Sequence, residues 1–170
     1  RATTGVHWQL QKVAARHGRR YYETGERMPV SIFLGGDPVF PFSATAPLPD
    51  GLDEFLLAGY LRKKSIEMVT CETNSLKVPA NADIVIEGYV DPTEPLRMEG
   101  PFGDHTGYYT LPEHYPVFHV TAITHRKDAI YPATIVGIPP MEDFYMGKAS
   151  VQLFLPVFRM NFPEIVDIAL

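Results

Sequence analysis

The chain has 170 residues, enough for one ordinary domain with a real hydrophobic core. Apolar residues make up 45% and charged residues 21%, which excludes a disordered chain. Fifteen basic against twenty acidic side chains leave a net charge of −5, so the clustered basic face of a nucleic-acid binder is not expected.

In chain order, Val6, Leu10, Val13, Ala14 and Tyr21 recur at the spacing of a helix packed on one side. Thr3 or Thr4 is expected to cap it and Gly25 to follow its end. The basic run Arg16 to Arg20 reads as the solvated face of this helix. A strand is expected at Val30–Leu34, then a proline-studded loop through Pro49. Asp50–Glu54 opens a short helix with Phe55, Leu56, Gly59 and Tyr60 on one face. Further strands are expected at 66–72, 76–78, 84–90, 117–126 and 131–137. From about Gly147 to Arg159 the pattern is helical again, with a kink or break at Pro156.

Strands in series with helices mainly at the two ends predict an α+β fold with a mostly antiparallel sheet or small barrel. One cysteine, Cys71, excludes an intrachain disulfide framework; its strand-like setting predicts a buried structural thiol. No apolar run approaches the roughly 18 residues of a membrane span, and the protein is expected to be cytoplasmic. The chain starts at Arg1 and stops at Leu170 inside an apolar stretch, which reads as a fragment of a longer protein.

The stretch Glu99-Gly100-Pro101-Phe102-Gly103-Asp104-His105-Thr106-Gly107-Tyr108-Tyr109 is the richest in chemistry. Glycine opens backbone angles closed to other residues and proline stiffens the path, so such a linker can turn Glu99 and Asp104 toward one pocket. Burial and mutual repulsion there would make at least one carboxyl a proton donor near neutral pH. Composition alone favours the plainer reading, a surface turn with two solvated acids.

This stretch resembles the signature of the UbiD family of reversible non-oxidative decarboxylases. Four further blocks resemble the family in the same order: Ala46–Glu54, Cys71–Asn74, Val78–Gly88 and Pro116–Arg126. The likeness covers essentially the whole chain, and the nearest relatives look like those acting on 4-hydroxy-3-polyprenylbenzoate or similar aromatic acids. The resemblance implies a prenylated FMN cofactor that forms an adduct with an unsaturated acid, and loss of carbon dioxide from it. It places the proton donor at Asp104 and its network partner at Glu99. It also implies a divalent metal, manganese or magnesium, bridging the flavin phosphate, with His7 and Glu54 as its ligands here. A monovalent cation, potassium, would sit on carbonyls near Ser43, Ala44 and Ala46, so the cofactor-binding set is His7, Ser43, Ala44, Ala46 and Glu54.

The family's central domain resembles the split barrel of flavin reductases. Residues 1–170 would then be the central prenylated-FMN-binding domain, flanked by helices. The family's catalytic arginine and a metal-binding asparagine would lie upstream of Arg1, and its C-terminal domain beyond Leu170. This chain alone is therefore expected to be inactive. The implied partners are a small aromatic or unsaturated acid, a flavin prenyltransferase as cofactor supplier, and further copies of the full-length protein in a homo-oligomer. Quinone biosynthesis is the implied setting, with membrane association where the substrate is polyprenylated. Competing readings are a flavin-binding split-barrel module without decarboxylase activity, a metal-dependent hydrolase using His7, Glu54 and Asp104, and a structural piece with an empty site. His105 is expected to line the pocket, and His119 and His125 to be strand histidines with hydrogen-bond partners. His17 and His114 are expected at the surface, and Tyr108 and Tyr109 to pack.

Overall fold

The computed structural model describes residues 2–6, 13–49, 51–104, 106–133 and 140–169, with the side chains of 13–16 left aside. The chain divides into two units, one of Arg1–Phe102 with Tyr109–Pro132, the other of Gly103–Tyr108 with Ala133–Leu170.

The first unit is organised by a four-stranded antiparallel sheet of β1 (Thr3–Gly5), β8 (Val117–His125), β5 (Ile84–Val90) and β2 (Met28–Leu34), in that spatial order. Side chains alternate between faces along a strand, and β5 is buried on both. Val90 joins Met28 and Phe118 in a core on one face, against which Tyr21 of α1 (Val13–Thr24) packs. On the other face, Val85 joins Val78 and Ala82 in a second core, with Phe33 and Cys71 against it. Val78 belongs to the ribbon of β3 (Met68–Thr70) and β4 (Lys77–Pro79). The register of β8 on β5 shifts at Glu87/Gly88, a β-bulge. Gly88 is required beside it, because a Cβ there would run into the His119 carbonyl. A second ribbon pairs β6 (Arg97–Glu99) with β7 (Glu113–Tyr115).

Two short helices follow β2. In α2 (Val39–Thr45) and α3 (Glu54–Arg62), Phe40 and Phe55 meet each other at 6.2 Å between ring centres, and both meet Phe33. In the second unit, α4 (Glu142–Asn161) has Glu142 and Asp143 in its first turn and Arg159 in its last, charges that complement the helix dipole.

Several expectations are corrected. Thr3 and Thr4 do not cap a helix: they lie in β1, paired with His119 and Phe118. The stretch 35–49 is not all loop. Its α2 tolerates Pro41 because the first helical turn has no intrahelical use for that N–H. The strands around 66–72 and 76–78 shorten to β3 and move to β4. Residues 131–133 are not a strand, and 134–139 lie outside the described residues. Pro156 lies inside α4 without ending it, and α4 starts five residues before Gly147. The fold is α+β with antiparallel pairing; among the described residues the sheet is open, and β1 and β2 each have one neighbour. Cys71 is half-buried, its thiol 3.3 Å from the Ser31 hydroxyl.

Among the described residues of this unit Glu87 is the most deeply enclosed charged side chain, at 1% exposure. Its carboxylate accepts from the backbone N–H of Glu72 at 2.9 Å and of Thr73 at 2.6 Å, and from the Thr73 hydroxyl at 2.7 Å. The Thr73 hydroxyl also meets that of Thr121 at 2.6 Å. Burial pushes the Glu87 carboxyl upward, but these donors outweigh it and hold it below the usual carboxylate range. Removing the acceptor strands the donors, so Glu87→Ala should cost about 3 kcal/mol in urea unfolding. A carboxyl lowered in the fold stabilises fully above its unfolded pKa, and that stability is lost as pH falls through the folded value. Glu87→Gln should therefore flatten the acid limb of a stability-versus-pH curve measured by denaturant titration.

Candidate functional site

Glu99 closes β6 directly opposite Glu113 of β7. Its carboxyl lies against the backbone of Gly5 so closely that a Cβ on residue 5 would occupy the same space. The absence of a side chain at Gly5 is what lets Glu99 turn in toward the end of β1. Tyr115, two residues from Glu113 and so on the same face of the ribbon, donates its hydroxyl to Glu113 Oε2 at 3.3 Å. Burial, then the charges of Glu113 and Glu99, raise the phenol above its ordinary value. Gly100 takes a φ of 107°, closed to residues with a side chain, and so swings the chain out of β6. Beyond it, the Thr110 N–H donates to the Phe102 carbonyl at 2.8 Å and continues the ribbon.

In the second unit Asp104 sits at the start of a tight turn. Its N–H donates to the Tyr108 carbonyl at 3.0 Å, and its carbonyl accepts from the Gly107 N–H at 3.1 Å. The turn closes because Gly107 adopts a φ of 87°. The half-buried Asp104 carboxylate accepts from the Thr106 hydroxyl at 2.8 Å and from the Thr106 N–H at 3.3 Å. The two signature acids thus belong to different units, Glu99 to the first and Asp104 to the second. His105 lies outside the described residues.

The residues expected to hold cations, His7 apart, lie on the α2–α3 pair. Ser43 is 1% exposed, and among the described residues its hydroxyl has no hydrogen-bond partner. A buried hydroxyl left without a partner is costly, which fits a site that a cation completes. Ala46 is buried just after α2, where the chain turns to an extended ψ of 141°, while Ala44 is exposed. Hydroxyl and carbonyl oxygens at a helix C-terminus are the hard, partly negative donors that alkali and alkaline-earth ions take. Glu54 opens α3 one residue after its cap, Asp53, whose carboxylate accepts the Phe55 N–H at 2.7 Å. His7, the imidazole of the expected metal set, lies outside the described residues. Among the described residues no three His, Cys, Asp or Glu side chains gather as a metal site.

His119 has the partner expected of a strand histidine, the Glu94 carboxylate. His125 Nδ1 lies 2.7 Å from the Arg126 carbonyl. His17 and His114 are exposed as expected. Tyr108 and Tyr109 do not pack: they are 79% and 78% exposed.

A polar cavity of about 420 Å³ escaped sequence reasoning; Arg27, Tyr89, Asp91, Glu94, Arg97 and His119 line it. Tyr89 stacks on its cross-strand partner His119 at 5.0 Å, and the Arg27 guanidinium lies 4.6 Å from the Tyr89 ring centre. Arg27 pairs with Asp91 at 3.0 Å and Arg97 with Glu94 at 2.5 Å, so the charges that line it are matched. Pairing of β2, β5 and β8 brings Arg27, Tyr89 and His119 together with the 91–97 segment, and no local motif announces it.

Residues 1–139 match the family model described as UbiD, 3-octaprenyl-4-hydroxybenzoate carboxy-lyase Rift-related domain. The chain belongs to the UbiD family. An uncharacterized protein of Archaeoglobus fulgidus is 56% identical to this UbiD chain over 169 residues, 99% of the chain and 35% of that relative. One of Aquifex aeolicus is 52% identical over 95% of the chain and 33% of its own length. The chain therefore spans about a third of these relatives. The UbiD-class enzyme HmfF of Pelotomaculum thermopropionicum, in an evolved dimeric form complexed with prFMN, superposes with a TM-score of 0.82 at 30% identity. That match covers 97% of this chain and 38% of the HmfF chain. The vanillic acid decarboxylase of Sedimentibacter hydroxybenzoicus in closed form shares the fold, with a TM-score of 0.85 at 24% identity over 97% of this chain and 35% of its own. No helix among the described residues is long and apolar enough to cross a membrane.

The contact between Gly5 and Glu99 is open to test. Gly5→Ala should lower the unfolding free energy by about 1–3 kcal/mol, the cost of overpacking. Adding Glu99→Ala, which vacates the space, should restore part of that loss in a double-mutant cycle read by chemical denaturation.

Proposed function

We propose that this chain is the central prenylated-FMN-binding domain of a carboxy-lyase. The full-length enzyme would reversibly decarboxylate an aromatic or α,β-unsaturated carboxylic acid, a polyprenyl-hydroxybenzoate-like one in quinone biosynthesis. The observation that carries this reading is the likeness to HmfF, itself seen with prFMN, across 97% of the chain. Prenylated FMN, when bound, supplies the electron-accepting centre that loss of carbon dioxide from an unsaturated carbon requires.

The chain's own groups then have distinct tasks. Asp104 holds the proton that replaces carbon dioxide on the substrate carbon. Thr106, donating hydroxyl and N–H to the Asp104 carboxylate, helps to fix the orientation of that carboxyl. Glu99, seated on Gly5, is the second carboxyl of the proton path. His7 and Glu54 would hold manganese or magnesium at the flavin phosphate. Ser43, Ala44 and Ala46 would face potassium with hydroxyl and carbonyl oxygens. The partly buried ligands of α2 and α3 suit ions that a phosphate shares. In the full-length protein the open sheet would form part of a split barrel of the flavin-reductase type. We place that protein in the cytoplasm as a homo-oligomer, at the membrane face when its substrate carries a polyprenyl tail. A flavin prenyltransferase would supply its cofactor.

The test uses full-length protein co-expressed with a flavin prenyltransferase. Asp104→Asn should reduce carbon dioxide release by a factor on the order of 10²–10⁴, while flavin absorbance and bound-cofactor mass stay at the wild-type level. Turnover at the wild-type rate in this variant would reject the assignment. Chelation of the divalent metal should release flavin from the wild-type protein, measured as free flavin after gel filtration.

A further inference from the structure

The helix pair that carries Ser43, Ala46 and Glu54 is fastened by groups to which the proposed chemistry assigns no task. Asp37, just before α2, acts in two directions. Its Oδ1 accepts the Val39 N–H at 3.0 Å, and its carbonyl accepts the Phe40 N–H at 3.0 Å, which starts α2. Its Oδ2 meets Nε of Arg62, in the last turn of α3, at 2.8 Å. The preceding Gly36 N–H donates to Asp83 Oδ2 at 2.7 Å, which ties the same loop to the residue before β5. Gly35 allows this approach, since a Cβ there would overlap the Asp83 side chain.

The Asp37 and Arg62 side chains are 30% and 25% exposed, whereas Arg27 in another arginine–aspartate pair of this unit, with Asp91, is 64% exposed. Water screens the first pair less, so it holds geometry better. Two cations, one held from α2 and the other from α3, can share one phosphate only where the two helices keep a fixed separation.

We infer that the Asp37–Arg62 pair is a positioning device for cation binding: it locks α2 against α3 so that the Ser43–Ala46 turn and Glu54 offer their oxygens together. This inference rests on the cation sites proposed above. Both residues act through the helices, and neither is assigned as a ligand.

The experiment titrates manganese into chelator-stripped full-length protein, reading bound metal and retained flavin, with the thermal midpoint of each metal-free variant alongside. Arg62→Met removes the donor. Asp37→Asn keeps an acceptor for the Val39 N–H but removes the charge. Each should raise the half-saturating manganese concentration about tenfold, the usual scale when a group supporting a ligand is lost. The double variant should be no worse than either single one, because both remove the same contact. Arg62→Lys, which restores the charge, should recover most of the affinity. Arg27→Met, which breaks the pair with Asp91, should leave manganese binding unchanged.

Wild-type manganese binding in both Arg62→Met and Asp37→Asn would overturn the inference, as would an equal loss in Arg27→Met or multiplying losses in the double variant. Glu54→Gln in the same titration separates the two levels of argument. If it binds manganese like the wild type, the proposed metal ligand is wrong. If it weakens binding while Arg62→Met does not, only the positioning role fails.

Discussion

A carboxylate enclosed in protein is tolerated only where donors replace the water it has lost. Glu87, in the middle of β5, meets that condition through a single loop, whose two N–H groups and one hydroxyl converge on it. The loop joins β3 to β4, so satisfying the charge also sets the ribbon down on the sheet. Val78 is thereby delivered onto Val85 and Ala82, and the second core closes with Phe33 at its edge. Phe33 in turn stacks with Phe55 and meets Phe40 edge-on, so the helix pair is seated by the same face. One buried charge and one apolar face thus stand beneath the residues assigned to cation binding.

The opposite end of the sheet obeys a different constraint. There the strands carry matched charges in place of a second apolar layer, with Tyr89 and His119 stacked between arginine and carboxylate partners. Asp91 is held low by the Thr93 hydroxyl and then by Arg27, and Glu94 by His119, against the upward push of burial. The charges of this wall are matched pair by pair, and the proposed chemistry draws on the Glu99 ribbon and the helix pair instead.

Much of this organisation was legible in the residue order, and the failures have physical causes. β5 matched its expected range because Ile84, Val85, Ile86 and Val90 are apolar and β-branched and Tyr89 is aromatic, the types that favour strands. The Glu99–Asp104 stretch stood out because glycine and proline leave few other paths for the backbone. Thr3 and Thr4 were misread because an isolated three-residue edge strand has no periodicity of its own; its partner is more than a hundred residues away. α2 was hidden by Pro38 and Pro41, which read as loop unless their place in the first helical turn is known. Glu87 and Asp83 gave no local signal at all. A buried acid and a solvated one look alike until the donors around them are in place. The contact of Glu99 with Gly5 likewise depends on tertiary closeness between distant segments.

The bulge opposite Glu87 has a consequence for how β8 can change. Thr121 and Ala122 together oppose one residue of β5. Phe118 and Val120, at even positions, therefore share a face with Ile123, at an odd one. The extra residue resets the phase of the strand. Deleting Thr121 or Ala122 would remove the extra residue and leave Phe118, Val120 and Ile123 on one face of a regular strand, whereas deleting one residue elsewhere in β8 would turn one part of it inside out relative to the other. Parity thus permits the loss of one residue at the bulge, and elsewhere in the strand it leaves open only substitutions that respect size and polarity.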